Sequence, residues 1–208
     1  MDKSTYETRM KSFVGQKIVK VIYHDIANEE DGSPLYQYFD EPFHCLAWGV
    51  DLFMSNGECL TLTWGKQFGM CYSLDICATP MSQRSQVDPK TLFNQTKIPE
   101  WSNIVGIPVT DIHVLWDVKG DTISIQPEDV PRILKYPFKI IPNPTKKKEN
   151  YPLDIRITFE NEQMIIIGAY EYMGSEINAF YPATDGVTLF FDRATAKKYK
   201  IWDLPNKI

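Results

Sequence analysis

The sequence predicts a strand-rich α+β fold: mostly antiparallel sheets in two related β-units, with a few short helices. Three observations carry that prediction. From Trp48 to Trp64 the chain reads WGVDLFMSNGECLTLTW, in which Val50, Leu52 and Met54 alternate with Asp51, Phe53 and Ser55. Period two is the strand period and turns one set of side chains toward a core. At its centre stands Asn56-Gly57, the dipeptide that accepts positive φ at both centres of a tight hairpin turn.

The second observation is an echo. Val50-Asp51-Leu52 is matched by Leu153-Asp154-Ile155, the turn 55–58 by 160–163, and 60–63 by 165–168. Upstream, the pattern apolar-Val-Gly of Phe13-Val14-Gly15 returns as Ile104-Val105-Gly106, and both are followed by apolar residues at the same spacing. Order is kept in both halves, which predicts a degenerate tandem duplication over 10–78 and 101–192. The third observation is composition. Five Trp, 11 Tyr and 11 Phe in 208 residues favour filled sheets over helical bundles.

Taken in order, residues 2–12 are polar with a weak helical pattern, and Ser4 with Glu7 is placed to form a capping box. Phe13–Tyr23 is a strand, with Ile18, Val21 and Tyr23 as anchors. Asn28 to Pro34 is a loop of acids and breakers. Leu35–Pro42 is aromatic and acidic. His44–Ser55 and Glu58–Trp64 form the first hairpin, and Gly69–Ile76 a third strand. The division expected is an N-terminal β-unit over 1–78, a proline-bearing linker over 79–100, and a C-terminal β-unit over 101–208. In the latter, Trp101–Trp116 leads in and Thr122–Ile125 is a short strand. The prolines between 127 and 144 point to irregular or edge structure. Leu153–Phe159 and Gln163–Ala169 repeat the hairpin. Val187–Phe191 is a buried strand, and Asp192 caps a last helix over Arg193–Tyr199.

The net charge is −5. That argues against a general nucleic-acid binder, which needs a basic face. The first residues lack the apolar core of a signal peptide, and no apolar run reaches membrane-span length. Four cysteines without a C-x-x-C motif point to buried, reduced thiols in a cytoplasmic protein. Three histidines, His24, His44 and His113, are too scattered in sequence to predict a metal site, and no cofactor is expected. Phosphate-cradling, nucleophile-elbow and zinc-protease motifs are missing, so enzymatic activity is argued against rather than for.

Two groups of residues stand out. Glu29, Glu30, Asp31, Asp40 and Glu41 flank Tyr36 and Tyr38, a composition suited to a protein contact: acids for steering, aromatics for anchoring. His44, Asp51, Cys71 and Asp75 are the alternative, a pocket between the two units for a small ligand or a reaction. Cys59, Cys71 and Cys77 share strand parity with Thr61, Thr63, Ser73 and Asp75, which predicts a sheet face of small polar side chains closely covered by another segment. Asp51 and Asp154, at matching places, predict a shared structural task such as bonding a neighbouring turn. Lys146-Lys147-Lys148 reads as a loop tip.

In its general character (small, acidic, strand-rich, without catalytic motifs) the chain resembles bacterial immunity proteins that neutralise a cognate toxin. The resemblance is one of composition and architecture, so no residue roles carry over from it. It implies a non-enzymatic binding protein whose acidic, aromatic surface meets a basic toxin domain. A structural component of a larger assembly is the remaining expectation.

Overall fold

The computed structural model describes residues 1–38, 42–68, 73–77, 79–118, 150–172, 180–182, 186–199 and 201, and those are the residues meant below. Two five-stranded antiparallel sheets form the body. In chain order the first sheet takes β1 (Ile18–His24), β3 (Gly49–Met54), β4 (Cys59–Gly65), β5 (Ser73–Cys77) and β6 (Leu92–Asn94). The second takes β2 (Phe43–Leu46), β7 (Val109–Val118), β8 (Asn150–Phe159), β9 (Met164–Gly168) and β12 (Val187–Phe190). The orders across the sheets are β5-β4-β3-β1-β6 and β2-β12-β9-β8-β7. A separate two-stranded ribbon joins β10 (Tyr170–Tyr172) to β11 (Phe180–Pro182). Short helices are α1 (Lys3–Lys11), α2 (Pro99–Ser102) and α3 (Arg193–Lys198).

Period-two alternation sends Val21, Tyr23, Val50, Leu52, Leu60, Leu62, Leu74 and Ile76 of the first sheet into one cluster with Ile112, Ile155, Ile157, Ile165, Ile167 and Leu189 of the second. This shared layer is the main core. Continuous apolar contact across it supplies most of the driving force, at about 25 cal/mol per Å² of apolar surface buried.

The echo in the sequence is an echo in the hydrogen-bond ladder. β1 faces β3 with Ile18 opposite Met54, a bulge, then Val21 opposite Leu52. β7 faces β8 with Val109 opposite Phe159, a bulge at the same step, then Ile112 opposite Ile157. Both turns that lead into these strands use a glycine at positive φ, Gly15 at 84° and Gly106 at 85°. The turns clasp each other around a Lys17–Pro108 bridge. Gly15 N–H donates to Val109 O at 2.8 Å and Gly106 N–H to Ile18 O at 2.8 Å. The hairpin tips then dock alike: Ser55 N–H on Lys17 O at 2.8 Å, Glu160 N–H on Pro108 O at 2.9 Å. A local two-fold therefore relates the four-strand meanders β1-β3-β4-β5 and β7-β8-β9-β12.

Several expectations need correction. Asp51 and Asp154 are not equivalent. Counted from the two turns, Asp51 matches Arg156 and Asp154 matches Gly49, because a two-residue slip keeps strand parity and is invisible to a period-two pattern. The segment 79–100 is more than a link, since β6 within it pairs with β1. The stretch His44–Ser55 is not one strand: β2 leaves for the second sheet and pairs with β12. At the break Ala47 O accepts from Trp64 Nε1 at 2.7 Å and Trp48 N–H donates to His24 O at 3.2 Å. The first helix is capped by Asp2, whose Oδ1 accepts from Thr5 N at 2.8 Å, and not by Ser4. The final helix is capped by Asp192 as its sequence suggests. The third strand begins at Ser73; the 69–72 part, the 122–125 strand, most of the proline-bearing stretch 127–150 and Lys146-Lys147-Lys148 lie outside the described residues. Among the described residues no helix is long and apolar enough to cross a membrane.

Candidate functional site

The acidic run stands on a loop with an internal scaffold. Between β1 and β2, Ala27 bridges Pro34. Asn28 N–H donates to Ser33 O at 2.8 Å, Gly32 N–H to Asn28 O at 2.9 Å and Leu35 N–H to Ile26 O at 2.9 Å. Side chains tighten the turn: Asn28 Oδ1 accepts from Glu30 N and Asp31 Oδ1 from Ser33 N, each at 2.9 Å. These are Asx turns, which the short Asn and Asp side chains make readily. Gly32 sits at φ 70° and closes the loop. Glu29, Glu30 and Asp31 are exposed, and Ile26 beside them is 45 % exposed. No basic residue falls within 26–35.

Beneath the loop, Asp25 is buried and holds its base. Its Oδ2 accepts from Tyr36 N at 2.9 Å and its Oδ1 from Ala47 N at 3.1 Å. Burial raises its pKa, against the lowering effect of those amides and that of Ile26. The sequence signal for Asp25 was its place directly after a strand, ahead of an acidic turn; on its own that does not distinguish an anchor from a surface acid.

The expected contact residues separate here. Glu29, Glu30 and Asp31 are on the surface together. Tyr36 is not a surface anchor: it is 5 % exposed, and its hydroxyl donates to Gln95 Oε1 at 3.1 Å. Its ring packs on His44 at 4.3 Å and Tyr23 at 5.3 Å between centroids. Asp40 and Glu41 lie outside the described residues, as does the side chain of Tyr38.

The alternative pocket is not assembled as expected. His44 lies on β2 opposite Leu189 and faces the layer between the sheets. There Trp101 Nε1 donates to Tyr23 OH at 2.7 Å, leaving the tyrosine proton to bond His44 Nδ1 at 2.8 Å. Burial pushes the His44 pKa down to about 4, so the ring is a neutral acceptor at Nδ1. Asp51 and Asp75 face the opposite, outer side of the first sheet, two strands apart. Cys71 lies outside the described residues.

Asp51 is fully buried. Its carboxylate accepts from Thr61 Oγ1 at 2.6 Å, Ser82 Oγ at 2.6 Å, Ser82 N at 3.0 Å and Met81 N at 3.2 Å. His24 Nε2 is 3.1 Å away, at ion-pair distance but off the line of a hydrogen bond. Burial alone would raise this carboxyl; the contacts from His24, Ser82 and Thr61 outweigh it and hold the pKa down to about 2. Asp75 accepts from Ser73 Oγ at 2.5 Å and Gln67 N at 3.1 Å, and burial, the larger effect, raises its pKa. Asp51 thus ties the 81–82 segment over the sheet, while Asp75 holds Gln67, just beyond β4, against its own strand.

Cys59 borders a shallow cleft of about 270 Å³ with Arg9, Phe53, Glu58 and Gln83. Burial pushes its thiol up to about 12. A thiol held protonated in this way is a poor nucleophile at neutral pH. Among the described residues no three His, Cys, Asp or Glu side chains converge as a metal site.

No protein-family model matches the chain, and comparisons with curated proteins and with solved structures return no match.

Proposed function

We propose that this chain is a non-enzymatic binding protein that meets a basic protein partner through the 26–35 loop. Its most concrete form is an immunity-type protein that occludes a cognate toxin domain in the cytoplasm. The observation that carries the reading is the loop itself: Glu29, Glu30 and Asp31 exposed on a turn whose backbone is already bonded. A preorganised loop loses little entropy on binding, and clustered acids draw a basic surface and set the rate of encounter. Ile26 adds an apolar contact beside them. The buried carboxylates of the body, in contrast, spend their acceptors on the fold.

The test is co-expression with the product of the neighbouring gene, scored by growth protection and by isolation of a stoichiometric complex. Glu29→Lys/Glu30→Lys is expected to weaken that complex at least about tenfold, with the urea midpoint unchanged because both side chains are exposed. Absence of both complex and protection, or a complex indifferent to the double substitution, contradicts the reading.

A further inference from the structure

We infer that Asn56 is a site of spontaneous covalent modification, where water converts the side-chain amide to a carboxylate while Glu58 of the same turn holds the reaction back. The argument begins with two turns that are bonded alike and differ in the residue after the asparagine. Asn56-Gly57 lies between β3 and β4, and Asn161-Glu162 between β8 and β9. In the first, Asn56 Oδ1 accepts from Glu58 N at 3.0 Å and its Nδ2 donates to Glu58 Oε2 at 3.1 Å. In the second, Asn161 Oδ1 accepts from Gln163 N at 3.2 Å and its Nδ2 donates to Gln163 Oε1 at 3.0 Å. Gly57 N–H closes its turn on Met54 O at 3.0 Å, and Glu162 N–H closes the other on Phe159 O at 2.9 Å. Both asparagines are exposed.

An asparagine side chain and the next backbone nitrogen can close a five-membered ring. The nitrogen gives up its proton to hydroxide and attacks Cγ, a C–N bond forms, and Nδ2 leaves as ammonia. Water then opens the succinimide. Breaking the bond at Cγ gives aspartate. Breaking the bond at the backbone carbonyl carbon gives isoaspartate, whose main chain runs through Cγ. The net change consumes water and releases ammonia, with nothing oxidised or reduced. A Cβ on the attacking residue crowds this ring, and glycine has none. Gly57 is exposed, and the space where a Cβ would stand is open. Asn56-Gly57 is the only Asn-Gly step in the sequence.

The same turn supplies the restraint and the consequence. Ring closure must first free the Asn56 amide from Glu58 and the Gly57 nitrogen from Met54. Arg9 Nη1 steadies Glu58 by donating to its Oε1 at 3.1 Å. The bonds from Arg9 and Asn56 hold Glu58 below the usual carboxylate range, so the new carboxylate forms beside one already ionised. A donor is replaced by a like charge, on the turn whose Ser55 N–H docks on Lys17 O at 2.8 Å. Modification therefore loosens the first hairpin tip and spares the second.

The experiment is incubation of the purified full chain in mildly alkaline buffer. Peptide mass spectrometry follows amide-to-acid conversion, and enzymatic methylation detects isoaspartate. Asn56 is expected to convert at least about tenfold faster than Asn161, because only glycine leaves the attacking nitrogen uncrowded. Glu162→Gly, which suits the φ of 65° at that position, should speed Asn161 at least about tenfold for the same reason. Glu58→Ala should speed Asn56 about fivefold in the folded chain by removing a bond to its amide. In urea, where the turn bonds are gone, Glu58→Ala and wild type should convert alike. Hydrogen exchange of the Ser55 amide should quicken in converted wild type. Equal rates at Asn56 and Asn161, an Asn161 that stays slow in Glu162→Gly, or a folded Glu58→Ala chain no faster than wild type overturns the inference.

Discussion

The two sheets are strung on one ladder and covered by opposite chemistries. Thr61 of the first sheet matches Ile166 of the second, Cys77 matches Phe190, and Asp51 matches Arg156. Over the first sheet the outer face is polar, and the 81–82 backbone is strapped to Asp51. Over the second, Ile166, Phe190 and Phe43 join Ala196 of α3 in an apolar cluster. Even the glycines are exchanged. The first sheet pairs Gly49 with Thr63, the second pairs Asp154 with Gly168. At Gly168 a Cβ would strike the Tyr170 ring, whose hydroxyl donates to Asp154 Oδ2 at 2.7 Å. The inner layer and the turns maintain the ladder. The outer faces are free to diverge as long as every buried polar group is satisfied.

Removing the polar strap should have the largest effect on the first sheet. Asp51→Ala leaves the Met81 and Ser82 amides without their acceptor and should cost about 3 kcal/mol in urea unfolding. Exchange of those two amides should accelerate, while amides of the second sheet hold. An undiminished midpoint would show that the strap contributes little.

Acid titration separates the two carboxylates by sign. Asp51 has a folded pKa below its unfolded value, so its contribution is present above about pH 4 and is lost as pH falls through about 2, some 2 kcal/mol in all. Asp154 has a folded pKa raised, chiefly by burial and against the pull of Arg156 and Tyr170. Its contribution is greatest below the unfolded pKa and declines as pH rises through the folded one. Unfolding curves of Asp51→Asn against wild type should therefore converge toward pH 2, and those of Asp154→Asn should draw closer toward neutrality. Parallel curves for both would contradict the assignment.

The exchanged glycines predict a smaller contrast. Gly168→Ala should cost about 1.5 kcal/mol by forcing Tyr170 off Asp154. Thr63→Ala at the matching place removes a bond to Trp48 O at 2.7 Å and should cost about 1 kcal/mol. Smaller still is the turn. Gly57 sits at φ 87° and its counterpart Glu162 at φ 65°, a conformation that penalises a side chain. Glu162→Gly should stabilise by up to about 1 kcal/mol, read from the thermal midpoint.

Much of this architecture is legible in the chain. Period-two alternation and Asn56-Gly57 mark the first hairpin, and the Val-Gly phrases at 14–15 and 105–106 mark the turns that clasp each other. The pairing of β2 with β12 is not legible, since Phe43-His44-Cys45-Leu46 is apolar on both sides and runs straight into β3. The slip between Asp51 and Asp154 is hidden because it preserves parity. At the candidate site, the exposed acids follow from their loop composition. The burial of Tyr36 does not, because it depends on Asp25, Gln95 and His44 converging from three separate stretches.

Nuclear Overhauser contacts between α-protons test the shared ladder most directly. Val21 and Leu52 face each other in the close, non-hydrogen-bonded geometry, as do Ile112 and Ile157. A strong α-proton contact is expected within each pair. Contacts displaced by one or two residues in either sheet would contradict it.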